Sequence, residues 1–187
     1  MRQAALQEEA RAFAEEHRVE PMLAQLGRVI PVGSAVSGLM VWRDLDYGVD
    51  APGLQPARAW SVLAPLAARA DSLHYASQTG ERVGETAPYE RLYFVLRLAG
   101  WKLDLSLWTA GAPHIVEDFP QQLRERLDPE TRLVVLRLKD AWHRDPRYPE
   151  TISAWEIYDA VLEHGVRTLA ELDAYLATHG LPIRGVP

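Results

Sequence analysis

The chain lacks two features that would place it in common protein classes. Its 187 residues include no cysteine, which excludes disulfide bonds, thiolate zinc sites and cysteine nucleophiles. No apolar run approaches the length of a bilayer span, and the N-terminus lacks the apolar segment of a signal peptide. We therefore expect a cytoplasmic protein that does not act within a membrane.

Positive charge is also in short supply. The formal net charge is −6 with the histidines counted as neutral, so a broad electrostatic surface for nucleic acid is not expected. The six histidines show no His-Glu-x-x-His or comparable spacing, which argues against a zinc site. These shortages favour a small molecule or another protein as the partner.

The composition is otherwise that of an ordinary globular protein. Hydrophobic residues make up 48% of the chain and charged residues 25%, which is enough to form a buried core. Strand-like patterns end near residue 110, and the rest of the chain reads as helices. The sequence predicts an α/β (α+β) core over residues 1–115 and a helical subdomain over residues 116–187.

One stretch near the N-terminus combines a turn with paired acidic residues. A β-type run, Arg28 to Val32, is followed by Gly33-Ser34, a helix-like segment over residues 35–42 and a second strand from Arg43 to Tyr47. In that strand Asp44 and Asp46 share one face, because alternate side chains of a strand point the same way. Two like charges side by side are destabilising unless a cation lies between them. Oxygen ligands favour a hard cation, and Mg²⁺ is the usual one beside phosphates.

The turn itself suits an anion. Gly33 allows a tight turn and a close approach of the backbone to a ligand. We expect Ser34 to cap the helix that follows, whose first amides could hold a phosphate. A phosphate site next to a pair of metal-binding carboxylates indicates nucleotide chemistry.

A second pattern lies in the region from Arg91 to Trp108. Ala99-Gly100 is typical of a two-residue hairpin turn, which would place Leu98 opposite Trp101. The alternation then puts leucines and aromatic residues on one face and Asp104 on the other, polar face. We interpret three further residues on that face as ordinary polar side chains: Tyr93, Lys102 and Ser106.

The remaining chain gives helix signals. Helices are predicted over residues 3–17, from Pro21 to Leu26, over residues 56–70 and from Asp128 to about Arg144. Residues 48–53 form a turn cluster, residues 72–77 are a short strand candidate, and the polar stretch over residues 78–88 is predicted to be a loop. Capping boxes begin two more helices, Ser153 to Glu156 and Thr168 to Glu171. Arg137 and Lys139 are interpreted as surface charges.

These patterns together resemble the nucleotidyltransferase superfamily, the polymerase-beta-like group that includes the minimal nucleotidyltransferases. The matching parts, in order and on the expected elements, are Gly33-Ser34, Gly38, Asp44-Leu45-Asp46 and Asp104. The resemblance covers about residues 28–108. It implies a mixed β-sheet core flanked by helices, here followed by a C-terminal helical bundle.

The resemblance also implies an activity. Asp44 and Asp46 would hold Mg²⁺ on a nucleoside triphosphate, and Asp104 would bind a second ion or act as general base. The Gly33 amide and Ser34 would bind the β- and γ-phosphates. A nucleoside monophosphate would pass to a hydroxyl group of a small-molecule or protein acceptor. ATP is one candidate co-substrate, but the base preference, the acceptor, the oligomeric state and the role of the C-terminal helices stay open.

Two other interpretations remain. The chain could be a non-catalytic nucleotidyltransferase-like module, for example a regulator or a member of a toxin–antitoxin pair. Alternatively the motif match is accidental, in which case Asp104 should lie far from Asp44 and Asp46.

Overall fold

A computed structural model describes residues 2–80, 88–111, 114–149 and 151–184 of the chain. It divides into two compact units, Met1–Arg124 and Glu125–Pro187. The elements of the first unit, in chain order, are α1 (Arg2–Glu16), α2 (Val19–Leu23), β1 (Arg28–Val32), α3 (Gly33–Ser37), β2 (Asp44–Asp50), α4 (Pro56–Ala67), β3 (Ser72–Gly80), β4 (Tyr89–Leu98) and β5 (Trp101–Ala110). Helix α5 (His114–Arg126) contains the division, and α6 (Pro129–Trp142), α7 (Ala154–Leu162) and α8 (Leu169–Thr178) belong to the second unit.

The five strands form one mixed sheet in the order β1-β2-β5-β4-β3. Strand β2 runs antiparallel to β1 and parallel to β5, and the β5–β4 and β4–β3 pairs are antiparallel. The predicted fold class, a mixed sheet with flanking and C-terminal helices, is confirmed. No helix within the described residues is long and apolar enough to cross a membrane.

The β4–β5 hairpin has the predicted turn and register. Ala99 and Gly100 have φ angles of 50° and 77°, as a two-residue turn of the hairpin type requires, and Leu98 pairs with Trp101. The alternation of polar and apolar residues therefore assigned both faces of the two strands correctly. The apolar face is buried along its whole length: Leu92, Phe94, Leu96, Leu98, Trp101, Leu103, Leu105 and Leu107.

The hydrophobic core lies between this apolar face and three helices. Leu45, Tyr47 and Val49 extend the face onto β2, and they join one buried cluster with the hairpin residues. Helices α1, α2 and α4 contribute the other side of the cluster, through Leu6, Ala10, Phe13, Val19, Leu23, Ala59, Leu63 and Leu66. Because the helices bury this face, the acidic residues of β2 lie on the opposite face of the sheet.

Several predicted boundaries were wrong. Strand β2 continues to Asp50, through part of the predicted turn cluster, because pairing with β1 and β5 supports the strand beyond Tyr47. Strand β3 likewise extends to Gly80 along β4; the rest of the predicted loop, up to residue 87, lies outside the described residues. Helix α2 begins at Val19, after Arg18 in a left-handed conformation, so Pro21 lies within its first turn.

The second unit has the predicted helix starts. Asp128 caps α6 by accepting a hydrogen bond from the Thr131 amide, and both capping boxes are present at α7 and α8. The interpretation of Lys139 as a surface charge was wrong: its side chain is buried, and the ammonium donates a hydrogen bond to the Tyr158 hydroxyl at 3.0 Å.

Candidate functional site

The three aspartates singled out in the sequence lie on one face of two neighbouring strands. Asp46 of β2 is the register partner of Asp104 of β5, and Asp44 is the partner of Lys102. Adjacent strands are about 4.8 Å apart and alternate residues share a face, so all four side chains project to the same side. An accidental match predicted that Asp104 would be distant from the aspartate pair, and the register excludes that interpretation.

The Gly33 turn packs directly against one of these carboxylates. A Cβ atom at Gly33 would lie 2.0 Å from Oδ2 of Asp46, and the residue has a φ of +70°. Both the contact and the backbone angle require glycine. Val32 pairs with Asp46, so the β1–β2 ladder brings the turn to the aspartate. The turn and the carboxylate are therefore parts of one local structure.

Ser34 does not cap the helix as predicted. The α3 helix is short, running from Gly33 to Ser37, and its N-cap residue is Val32, which has no side-chain cap. Gly33 supplies the sharp change of direction, and this places Ser34 inside the first turn of the helix. Gly38, with a φ of 71°, ends the helix in the left-handed conformation that favours glycine.

Lys102 provides a positive charge within the acidic cluster. Its Nζ atom lies 3.5 Å from Oδ1 of Asp44 and 3.2 Å from Oδ2 of Asp104, and 12% of its side chain is exposed. Burial lowers the pKa of Lys102, but the charges of Asp44, Asp104 and Asp46 outweigh that effect and raise the pKa above its usual value. The ammonium therefore stays charged at neutral pH.

Tyr93 completes the surroundings of Asp104. Its hydroxyl donates a hydrogen bond of 2.6 Å to Oδ2 of Asp104, the same oxygen that Lys102 contacts. Burial and this hydrogen bond raise the pKa of Tyr93 above its usual value, so the hydroxyl remains a donor. Tyr93 and Lys102 together fix the orientation of the Asp104 carboxylate.

From the sequence alone, Tyr93 and Lys102 were interpreted as ordinary polar side chains. Both lie where the hairpin alternation predicts, on the face of Asp104. Their contacts depend on the pairing of β2 with β5, which brings Asp44 next to Lys102. A cationic residue two positions before an aspartate in the same strand was the one available indication, because such residues share a face.

The donor set suits a divalent cation in type and in charge. Carboxylate oxygens are the ligands that Mg²⁺ prefers, and three carboxylates face a single ammonium. In the part of the chain that the structure describes, however, no three histidine, aspartate or glutamate side chains are arranged as metal ligands would be. The Lys102 ammonium lies between Asp44 and Asp104.

A cavity of about 580 Å³ is not part of this site. It lies on the opposite side of β2, where Leu45 and Tyr47 form part of its lining. The Tyr47 hydroxyl donates a hydrogen bond of 3.3 Å to Glu20 there. The acidic cluster lies instead on the other face of the sheet.

Comparisons of the sequence with known proteins gave no match. No protein-family model matches the chain, and no curated protein matches it.

Two solved structures resemble the chain in fold. One is described as the structure of the GLD-2/RNP-8 complex, with a TM-score of 0.43 and 12% identity over 85% of this chain and 55% of that one. The other is terminal uridylyl transferase 4 from Trypanosoma brucei with bound UTP and UMP, with a TM-score of 0.44 and 14% identity over 95% of this chain and 57% of that one. The chain thus spans little more than half the length of either.

Likeness at these TM-scores carries no information about the chemistry of this chain.

Proposed function

We propose that this chain is a nucleotidyltransferase that moves a nucleoside monophosphate from a nucleoside triphosphate to a hydroxyl group of a small molecule or a protein. The observation that supports this most strongly is the register pairing of Asp46 with Asp104 on parallel strands. With Asp44 on the same face and Gly33 against Asp46, residues far apart in sequence form one acidic cluster beside one glycine turn.

The residues divide into two groups by role. The Gly33 amide and Ser34 would bind the β- and γ-phosphates, where the narrow turn admits no side chain at residue 33. Asp44, Asp46 and Asp104 would hold one or two Mg²⁺ ions, which would supply charge neutralisation and polarisation of the α-phosphate when bound.

The reaction is an in-line displacement at the α-phosphorus. The acceptor hydroxyl oxygen forms a new bond to phosphorus, the bond to the bridging oxygen of the β-phosphate breaks, and pyrophosphate leaves. Asp104 takes the proton from the acceptor hydroxyl, and the hydrogen bond from the Tyr93 hydroxyl holds its carboxylate in position. The acidic net charge of the chain favours an acceptor other than nucleic acid.

Calorimetric titration of ATP, GTP, CTP and UTP, with and without Mg²⁺, tests the nucleotide site. We expect Mg²⁺-dependent binding of at least one nucleotide and its loss in an Asp44→Ala, Asp46→Ala variant. Asp50→Asn is the matched control, because Asp50 lies on the same face of β2 but pairs with Arg28 at 3.5 Å. If no nucleotide binds, or if the control loses binding equally, the assignment is wrong.

A second candidate function is a non-catalytic binding module, and one observation favours it. The Lys102 ammonium already balances part of the acidic charge without any ligand. A module of this kind would bind a partner and release no pyrophosphate from any triphosphate. Pyrophosphate release in the presence of an acceptor mixture, measured on the wild type and on Asp104→Asn, separates the two functions.

A further inference from the structure

The position of Lys102 has a consequence for any cation that enters the site. Its Nζ atom contacts one carboxylate from each strand, Asp44 of β2 and Asp104 of β5. Mg²⁺ binds carboxylate oxygens at about 2.0–2.1 Å, so an ion held by Oδ1 of Asp44 and Oδ2 of Asp104 needs the volume that the ammonium fills. The ammonium and an ion bound to those two oxygens cannot be present at the same time.

Lys102 is held in this position by more than the two carboxylates. Its backbone amide donates a 3.0 Å hydrogen bond to the carbonyl of Arg43, the residue directly before β2. Its ammonium also lies 5.6 Å from the centroid of the Trp42 ring, within the range of a cation–π contact. The residue is thus anchored from the side of β2 as well as from its own strand.

The charge of the cluster favours replacement of the Lys102 ammonium by a divalent ion over a permanent ion pair between Lys102 and the aspartates. Lys102 contacts two of the three carboxylates, and its single positive charge is smaller than the negative charge of that pair, so a divalent ion is still attracted. Entry of that ion releases the ammonium inside the cluster, and Asp46 of the same cluster lies against the Gly33 turn, where the proposed triphosphate would present its own negative charges. The released ammonium then gains new partners only when phosphate is present.

We propose that Lys102 is the resting counter-ion of the Asp44, Asp46 and Asp104 cluster and that it competes with the divalent cation. Competition keeps the affinity for Mg²⁺ alone low and couples metal binding to triphosphate binding, because the phosphates accept the displaced ammonium. The coupling rests on the proposed function. The competition rests on the geometry of the cluster alone.

Calorimetric titration of Mg²⁺ without nucleotide tests the competition. Lys102→Met should bind Mg²⁺ about ten- to a hundredfold more tightly than the wild type, because the competing charge is gone. Arg97→Met is the matched control: Arg97 is the register partner of Lys102 on β4, it is exposed, and its removal changes the net charge equally. An equal gain in both variants would show a general charge effect and overturn the proposal.

A second pair of variants covers the case in which Lys102→Met does not fold. Asp46→Asn removes one carboxylate, and the double variant Asp46→Asn, Lys102→Met then restores the net charge of the wild-type cluster. The double variant should bind Mg²⁺ at least about tenfold more tightly than Asp46→Asn alone. Equal affinities would contradict competition.

Titration of ATP at saturating Mg²⁺ separates this inference from the proposed function. In the wild type, Mg²⁺ and ATP should each raise the affinity for the other, and Lys102→Met should lose most of that coupling. If the wild type binds ATP with Mg²⁺ but Lys102→Met leaves the metal affinity unchanged, the counter-ion role is wrong and the function stands. If Lys102→Met gains metal affinity but neither protein binds a nucleotide, the competition stands and the nucleotidyltransferase function fails.

Discussion

Gly33 and Asp46 are in direct contact: a Cβ atom on the glycine would lie 2.0 Å from Oδ2 of the aspartate. No β-carbon tolerates an oxygen at that distance, so any other residue at position 33 must displace the carboxylate or the turn. The backbone angle, a φ of +70°, adds strain for every residue with a side chain. The two parts of the nucleotidyltransferase pattern thus constrain each other sterically.

Gly33→Ala should therefore abolish nucleotide binding and lower the free energy of unfolding by about 1–3 kcal/mol. Chemical denaturation and nucleotide titration measure the two effects. Gly53→Ala is the control, because Gly53 has a φ of +73° and a Cβ atom added to it would meet no heavy atom within 4 Å. The control reports backbone strain alone, so equal losses in both variants would mean that the Asp46 contact has no role.

Tyr93→Phe should reduce turnover more than nucleotide binding. The variant removes the 2.6 Å hydrogen bond to Asp104 but keeps the ring, so the proposed base loses the hydroxyl that orients it. We expect kcat to fall about tenfold or more with little change in KM, and the free energy of unfolding to fall by about 1 kcal/mol. A rise in KM at constant kcat would instead place Tyr93 in substrate binding.

The sequence predicted the elements that depend on local patterns and missed contacts that depend on strand pairing. The Ala99-Gly100 turn and the alternation around it were sufficient to assign the β4–β5 register, because a one-residue shift would bury Asp104. The partnership of β2 with β5 joins residues far apart in the chain, and no local pattern encodes it. The contact of Lys102 with Asp44 follows from that partnership, so it became visible only in the structure.

The errors at Ser34 and Lys139 have a similar origin. Serine is a common helix cap, but the helix begins at Gly33, which has a positive φ, two residues before the predicted start at residue 35. Lysine in a helix is usually exposed, and its burial depends on a tertiary partner, the Tyr158 hydroxyl. Both cases show a local preference overruled by a contact that the sequence pattern does not specify.

The second unit should lose stability in acid through one carboxylate. Hydrogen bonds from the side chain and the backbone amide of Arg147 lower the pKa of Asp145 to about 2. Because the pKa of Asp145 is lower in the folded protein, the ionised carboxylate stabilises the fold at pH values above its ordinary pKa. This contribution is lost as the pH falls from about 4 to about 2. Denaturation of the wild type and Asp145→Asn across that range should show a smaller pH dependence in the variant. Arg147→Gln should show the same reduction, and an unchanged slope in both would contradict the assignment.

The hairpin turn offers a stabilising change. Ala99 has a φ of 50°, a left-handed conformation in which alanine is strained and asparagine is favoured at the first position of such a turn. Ala99→Asn should raise the free energy of unfolding by about 0.5–1 kcal/mol, measured by chemical denaturation. The residue is exposed, so the substitution removes no core packing. The turn sets the β4–β5 register, in which Asp104 pairs with Val95, and the substitution keeps that register, so nucleotide affinity should stay unchanged. A loss of stability would show that the turn is of another type.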